Sequence, residues 1–283
     1  MAALATKQPD QSEEFTLMDN TLAKARWYRL LPIAFITYSL AYLDRANFGF
    51  GAASGMATDL KITPAMSSLL GSLFFLGYFF FQVPGAVYAE KRSAKKLIFW
   101  SLILWGGLAM ATGIISNVSL LIVIRFTLGV VESAVMPAML LFLSRWFTKA
   151  ERSQANTFLI LGNPATILWM SILSGYLIQS VGWRWMFILE GFPAVLWAFF
   201  WWRLVDDKPD DATWLSTSEK NALEAQLQQE QQGIKPVKNY AEAFKSKIVI
   251  LLSLQYALWS IGVYGFVMWL PSIINAAPIM NIV

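Results

Sequence analysis

The sequence predicts an all-α membrane protein, a six-helix transmembrane bundle followed by a seventh span. Three observations predict it. Of 283 residues, 57% are hydrophobic and only 14% are charged, where a soluble chain carries roughly a quarter charged residues. Seven stretches are long and apolar enough to cross a bilayer, which takes about 20 mostly apolar residues at 1.5 Å rise each. Lys and Arg, finally, are concentrated in alternate connections between those stretches.

The elements follow in order. Residues 1–29 open with "MAALATKQPDQSEEFTLMDN", polar and acidic, unlike a cleaved signal peptide. The spans are expected at 30–51, 64–88, 97–116, 118–143, 153–179, 183–204 and 247–270. Lys7, Lys24, Arg26 and Arg29 precede the first. Lys91, Arg92, Lys95 and Lys96 follow the second, and Arg145, Lys149 and Arg152 follow the fourth. Seven more Lys or Arg run from Arg203 to Lys247, while the other connections hold Lys61 and Arg184. The positive-inside rule therefore puts the N-terminus and the basic connections in the cytoplasm, and the C-terminus outside. Residues 30–204 form the bundle, 205–246 a cytoplasmic linker, and 247–283 the seventh span with its outer end. Within the linker, "STSEKNALEAQLQQEQQ" reads as an amphipathic surface helix opened by a capping box of Ser216 and Glu219. Pro137 and Pro164 are expected to kink their helices, since proline removes a backbone hydrogen bond.

Composition also excludes. With no Cys and no His, there is no thiol chemistry, disulfide or imidazole base, and no zinc site is expected. No G-x-x-x-x-G-K-[ST] loop occurs, and every Lys lies outside the spans. Nothing calls for an enzyme, a cofactor, a metal or a nucleic-acid partner.

Function is concentrated in the few ionisable groups inside the spans: Asp44 and Arg45 in "AYLDRANF", Arg125 and Glu132 in the fourth span, Glu190 in the sixth. Each costs roughly 2.5–3.5 kcal/mol at a span centre, so they must face inward and be paired or hydrated. Arg45 and Arg125 lie at similar depth, near ~9 and ~10 Å from the outer ends of their helices. Glu132 follows Arg125 by two turns on the same face. A structural ion-pair cluster is one reading. The other is an anion site in which two arginines grip carboxylate oxygens, while Asp44 and Glu132 gain and lose protons. Tyr42, Tyr78, Asn47, Gln82 and Asn163 suit interhelical hydrogen bonds or ligand contact. Glu190 reads as structural.

Together "YLDRANFGF", "QVPGAVYAEKRSAKK", "RFTLGVVESAVMPAM", "SRWFTKAERSQA" and "GWRWMFILEGFPAVLWAFFWWRLVDDKPDDATWLSTSEK" resemble the N-terminal half of a major facilitator superfamily transporter. More narrowly, they resemble the anion:cation symporter family, carriers of sugar acids and other organic carboxylates. The resemblance implies two six-helix bundles around a central cavity and alternating access. It implies proton-coupled symport of an organic anion, such as a hexonate, hexuronate or aldarate, across a bacterial cytoplasmic membrane. It assigns substrate binding to Arg45, Arg125, Tyr42, Tyr78 and Asn163, the last where related carriers often have Gln. It assigns proton coupling to Asp44 and Glu132, with Arg125, Gly129 and Glu132 matching R-x-x-x-G-x-x-E. The partners it implies are the anion, protons and the lipid bilayer.

Two departures stand out. The G-x-x-x-D-R-x-G-x-[RK]-[RK] signature between helices two and three reads here Ala86, Glu90, Lys91, Ser93, Lys95 and Lys96, which is expected to weaken the latch it forms. The fold also appears here truncated from twelve helices, so a non-transporting fragment, or a scaffold or receptor that retains the fold, are the alternatives. For topology, reporter fusions at Gln232 and Val283 are expected to read opposite compartments, cytoplasm and exterior; the same side for both would refute seven spans.

Overall fold

A computed structural model describes residues 24–232 and 245–276. The expected N-terminal tail before residue 24, residues 233–244 of the linker and residues 277–283 lie outside the described residues. The described chain is helical, with no strand among the described residues. The helices are α1 (Ala25–Gly51), α2 (Pro64–Lys91), α3 (Ala94–Ile114), α4 (Val118–Ser133), α5 (Val135–Trp146), α6 (Lys149–Ile160), α7 (Gly162–Leu204), α8 (Thr217–Gln232) and α9 (Lys247–Ala276). Five stretches are long and apolar enough to span: Pro64–Lys91, Ala94–Ile114, Val118–Trp146, Lys149–Leu204 and Lys247–Phe266. α1 falls below that apolar level, in keeping with the Arg29, Asp44 and Arg45 it carries.

The starts of the spans follow local chemistry. Thr63 Oγ1 accepts the Met66 N–H at 3.2 Å, with Pro64 in the first turn. Ser93 Oγ accepts the Lys96 N–H at 3.0 Å. Asn117 Oδ1 accepts the N–H groups of Ser119 and Leu120 at 2.8 and 3.3 Å. Thr148 and Glu151 form a capping box. Each satisfies donors that a helix start leaves unpaired.

The two expected proline kinks are present as breaks. α4 stops at Ser133 and α6 at Ile160, each four residues before a proline, where the ring meets the carbonyl it cannot bond. The fourth span is thus α4 plus α5. The fifth span is α6 plus the first half of α7 and the sixth is the rest of α7, the two halves of α7 being continuous save at Gly182, whose φ of 85° and ψ of 166° turn the chain back. A single residue in the region that favours glycine replaces the short connection expected around residues 180–182.

α3 packs most extensively on α7, α2 on α4, and α1 on α7. The α2–α4 contact is backbone-close: a Cβ on Gly77 would stand 2.4 Å from the Phe126 carbonyl oxygen, and one on Gly129 only 2.0 Å from that of Phe74. Two apolar clusters fill the interior. One, toward the end that bears the basic connections, gathers Leu30, Trp105, Phe142, Trp146 and Trp201; the other, toward the far end, gathers Phe48, Met56, Leu70, Leu121, Trp183 and Phe187.

The basic end is tied by ion pairs. Arg26 grips Glu151 through two bonds at 2.9 and 3.1 Å. Arg145 donates to the carbonyls of Ala89 and Glu90 and pairs with Asp207 at 3.4 Å, and Asp207 accepts the Lys95 N–H. The connection that departs from the family signature is thus fastened to α5. The linker helix α8 docks beneath: Leu223 and Gln226 are buried, and Glu230 bonds the Lys149 N–H at 2.6 Å and Arg152 at 3.1 Å. Its expected capping box is present, Ser216 Oγ accepting the Glu219 N–H at 3.3 Å and Glu219 Oε2 accepting the Ser216 N–H at 2.8 Å. The Ser216 bonds hold the Glu219 carboxyl below the usual carboxylate range. α9 stands against α1 alone of the principal packing partners, with most of its surface exposed.

The glycine contact generates a test. Gly129→Ala pushes a methyl into the α2 backbone, an overpacking cost of about 1–3 kcal/mol or more. Gly107→Ala meets nothing within 4 Å and serves as the control. Thermal melts in detergent are expected to show a lowered midpoint for the first and no loss for the second.

Candidate functional site

The five buried charges lie in the layer between the two apolar clusters. Along α1, Asp44 and Arg45 fall between Ala41 of one cluster and Phe48 of the other. Along the fourth span, Arg125 and Glu132 fall between Leu121 and Val135. The close approach at Gly129 explains the spacing on α4. The residues one turn to either side of the contact flank the Phe74 backbone, so both side chains reach the space between α1 and α2.

Arg45 is the hub. Its Nη2 donates to Glu132 Oε2 at 3.3 Å and its Nη1 to the Tyr264 hydroxyl of α9 at 3.1 Å. Its guanidinium lies 4.8 Å from the Tyr78 ring centre and 5.7 Å from that of Phe74, at cation–π range. Glu132 is fully buried, and Arg45 is 11% exposed. Arg125 is as deeply buried but differently held. It lies 4.2 Å over the Phe48 ring and 5.0 Å from that of Phe74, feels the charges of Asp44 and Glu132, and forms no hydrogen bond or ion pair among the described residues. Asp44 Oδ1 accepts from Asn47 Nδ2 at 3.5 Å, and its carboxyl interacts with that of Glu132. Buried and without a hydrogen-bond partner are Asp44 Oδ2, Glu132 Oε1, Arg45 Nε and Arg125 Nε.

Asp44, Arg45, Arg125, Glu132 and Tyr78 are therefore brought together. Tyr42 is buried near Arg45 and Tyr264. Asn163, at the start of α7, faces Tyr38, and its Oδ1 is buried without a partner; Tyr38 in turn feels the Arg45 charge. Glu190 is bonded to Ser174 at 2.6 Å, and Gln82 lines a separate groove with Glu90 and Ser144. Sequence reasoning missed Tyr38, Tyr264, Phe48 and Phe74. The 38-42-45 spacing, one face of α1 over two turns, carried a signal for Tyr38. Phe48 and Phe74 carried none, because a phenylalanine in a span is ordinarily lipid-facing or core. Next to the site, Phe48, Gly49, Ser67, Ser72, Phe75 and Trp269 surround a cavity of about 160 Å³ toward the far end.

A family model described as Major Facilitator Superfamily matches residues 34–277. The chain belongs to this superfamily. Among curated relatives, it is 33% identical over 256 residues to the "Quinolone resistance transporter" of Acinetobacter baumannii, covering 88% of this chain and 59% of that protein. It is 31% identical over 255 residues to the "Putative tartrate transporter" of Agrobacterium vitis, at 88% and 57% coverage. It is 32% identical over 269 residues to the "Inner membrane transport protein RhmT" of Escherichia coli (strain K12), at 92% and 61%. The chain thus spans less than two thirds of the length of these relatives. Among solved structures, a bacterial homolog to the human lysosomal transporter Spinster, inward-facing and unoccupied, superposes with a TM-score of 0.67 at 18% identity, covering 88% of this chain and 56% of that one. That likeness concerns the fold. As a superfamily member with several membrane-spanning helices, the chain is an integral membrane protein whose named relatives are transporters rather than enzymes.

The hub also yields a test of its energetics. Removing one partner of a buried pair costs about 3–5 kcal/mol, because the other charge is stranded, whereas removing both is often close to neutral. Arg45→Met is therefore expected to lower the melting midpoint more than Arg45→Met combined with Glu132→Gln. Additive losses in the double-mutant cycle would refute the pairing.

Proposed function

We propose that this superfamily member is the N-terminal part of a secondary carrier that takes a small organic anion across the cytoplasmic membrane together with protons. The observation that carries the reading is Arg125: a buried guanidinium held over two aromatic faces with no hydrogen-bonded partner among the described residues. Arginine stays charged at any working pH and offers a planar fork that fits a carboxylate. Burial without a bonding partner is costly for a charge; a bound carboxylate supplies the partner.

Charge balance supplies the coupling. With both acids ionised, Asp44 and Glu132 cancel Arg45 and Arg125. A monocarboxylate beside Arg125 then leaves the buried layer one charge negative, and a dicarboxylate, which leaves it two, takes a proton on each acid. For the monocarboxylate, one proton on Asp44 or Glu132 restores neutrality, and such layers resist net charge because their surroundings are apolar. In this reading Arg45 and Arg125 hold the anion, Tyr42, Tyr78 and Asn163 line its site, and Asp44 and Glu132 carry the proton. Glu132 already bonds Arg45, so an anion arriving at Arg45 competes with it; protonation of Glu132 frees the arginine. The substrate class we propose is a hydroxylated acid such as a hexonate, hexuronate or aldarate, in keeping with the relative whose name gives tartrate. The N-terminus lies in the cytoplasm, by the distribution of Lys and Arg.

The 3.3 Å Arg45–Glu132 pair favours a second reading, a structural clasp. One comparison separates the two. Binding of tartrate, gluconate and galacturonate, and their uptake driven by a pH gradient, are measured in parallel in cells and membranes expressing the gene. Arg125→Lys is expected to weaken binding at least tenfold, since Lys keeps the charge and loses the fork. Glu132→Gln, which mimics the protonated acid, is expected to keep binding and lose proton-driven accumulation. Normal binding by the first variant, or accumulation like the parent in the second, leaves the clasp as the account.

A further inference from the structure

The cavity of about 160 Å³ beside the site has no part in the charge argument above, and its chemistry differs from that of the arginine layer. It lies outward of the layer on three helices. On α1, Phe48 and Ala52 stand three and seven residues beyond Arg45, about 4.5 and 10.5 Å along the axis. On α2, which runs the other way, Ser72 and Ser68 stand six and ten residues before Tyr78, about 9 and 15 Å outward. On α9, Trp269 follows Tyr264 by five residues. One wall is shared with the arginines. Phe48 carries the Arg125 guanidinium at 4.2 Å. Phe75 meets the Tyr264 ring at 5.2 Å, and the Tyr264 hydroxyl accepts from Arg45.

What the cavity offers a ligand is set by where its serine protons go. Ser68 Oγ donates to the Pro64 carbonyl at 2.9 Å, and Ser72 Oγ to the Ser68 carbonyl at 2.8 Å. A serine hydroxyl has one proton to give, and both protons here go to a carbonyl one turn back on α2. The two oxygens are left with lone pairs for anything in the cavity. They match O–H or N–H donors and repel the oxygens of a carboxylate. None of the described residues lining the cavity is charged, so an anionic group there would meet no cation to offset its burial. Phe48, Phe75 and Trp269 supply ring surface for the C–H groups of a ligand.

Resting on the reading that Arg125 takes a carboxylate, we propose that this cavity is a subsite for the far end of the substrate, and that the far end is a neutral, hydroxylated chain. Its hydroxyls donate to Ser68 and Ser72, and its carbons lie on the three aromatic rings. The subsite narrows the class of acid proposed above. It selects a monoacid with several hydroxyl groups, such as a hexonate, over a diacid of the same length and over an acid without hydroxyls. The arginine layer by itself makes no such distinction, because it reads the carboxylate that all three share.

The chain has no cysteine, so a single introduced thiol can report on the cavity. Ser67→Cys places one in the lining, and Ser119→Cys, at the outer start of α4 and outside the lining, is the control. Both are labelled with a maleimide in membranes from cells expressing the gene, with and without gluconate, glucarate or hexanoate. These acids have the same carbon count and differ in the second carboxylate and in the hydroxyls. Gluconate is expected to slow labelling of Ser67→Cys at a concentration at least tenfold lower than glucarate or hexanoate requires, and to leave Ser119→Cys unaffected. Adding Ser68→Ala and Ser72→Ala is expected to raise the gluconate concentration needed roughly tenfold, for two lost acceptors, with hexanoate unchanged. Glucarate protecting as well as gluconate, or gluconate protection unmoved by the two alanines, would overturn the subsite while the acids still bind, so the anion reading would stand. Direct binding of gluconate without protection of Ser67→Cys would overturn the subsite in the same way. Binding of none of the three acids would sink the anion reading and the subsite with it.

Discussion

Two opposite charges 3.3 Å apart, Arg45 and Glu132, in a layer that water barely reaches, set the terms for the rest of the bundle. Neither residue can be accommodated there alone, since an unpaired charge in such a medium costs several kcal/mol. The pair joins the first and fourth spans, so those spans must meet face to face at one depth. Glycine at 129 lets α4 lie on the α2 backbone and so delivers Glu132 to that depth. The aromatic rings of Phe48, Phe74 and Tyr78 complete the lining, offering electron-rich faces to both guanidiniums without adding charge.

The apolar clusters on either side give this layer its chemical character. They exclude water from both directions, which strengthens every electrostatic interaction between them. In the carrier proposed above, a proton gained or lost in the layer would alter the affinity for an anion far more than at a surface. The asymmetry of the two arginines matters as well. Arg45 is engaged with Glu132 and Tyr264, while Arg125, among the described residues, is held by ring faces and by charges it does not bond. In the carrier proposed above, one arginine organises the site and the other is left to meet the anion.

Much of this was legible in the sequence, for reasons that differ by element. The spans were legible because a bilayer demands long apolar runs, and their bounds fell within a few residues of the helices found. The charge layer was legible because ionisable residues in such runs are rare, and counting rise per residue placed Arg45 and Arg125 at one depth. The capping box at Ser216 and the breaks ahead of Pro137 and Pro164 were local, so local rules found them. What was illegible is what depends on contacts between distant segments. Nothing in the sequence distinguishes Phe48 or Phe74 from the many other phenylalanines. Tyr264 meets Arg45 across 219 positions, beyond any periodicity. The fifth and sixth spans were read as separated by a short connection, whereas a single glycine suffices, because one positive φ reverses the chain. Glu190 was read as structural; it is buried and accepts a bond from Ser174 across the turn at Gly182, a contact that the sequence alone did not show.

The separation of Arg45 and Glu132 along the chain has a consequence for how the protein is made. The two residues are 87 positions apart. A ribosome adding 5–20 residues per second takes about 4–17 s to cover that distance. For all of that interval the first helix exists with Asp44 and Arg45 and without the acid that later clasps the arginine. Its relatively polar character makes the lateral step from the translocation channel into lipid unfavourable until the fourth helix arrives. The ion pair therefore ties the energetics of the first helix to a residue made seconds later, and the early chain carries the cost of an unclasped arginine until the fourth helix is made.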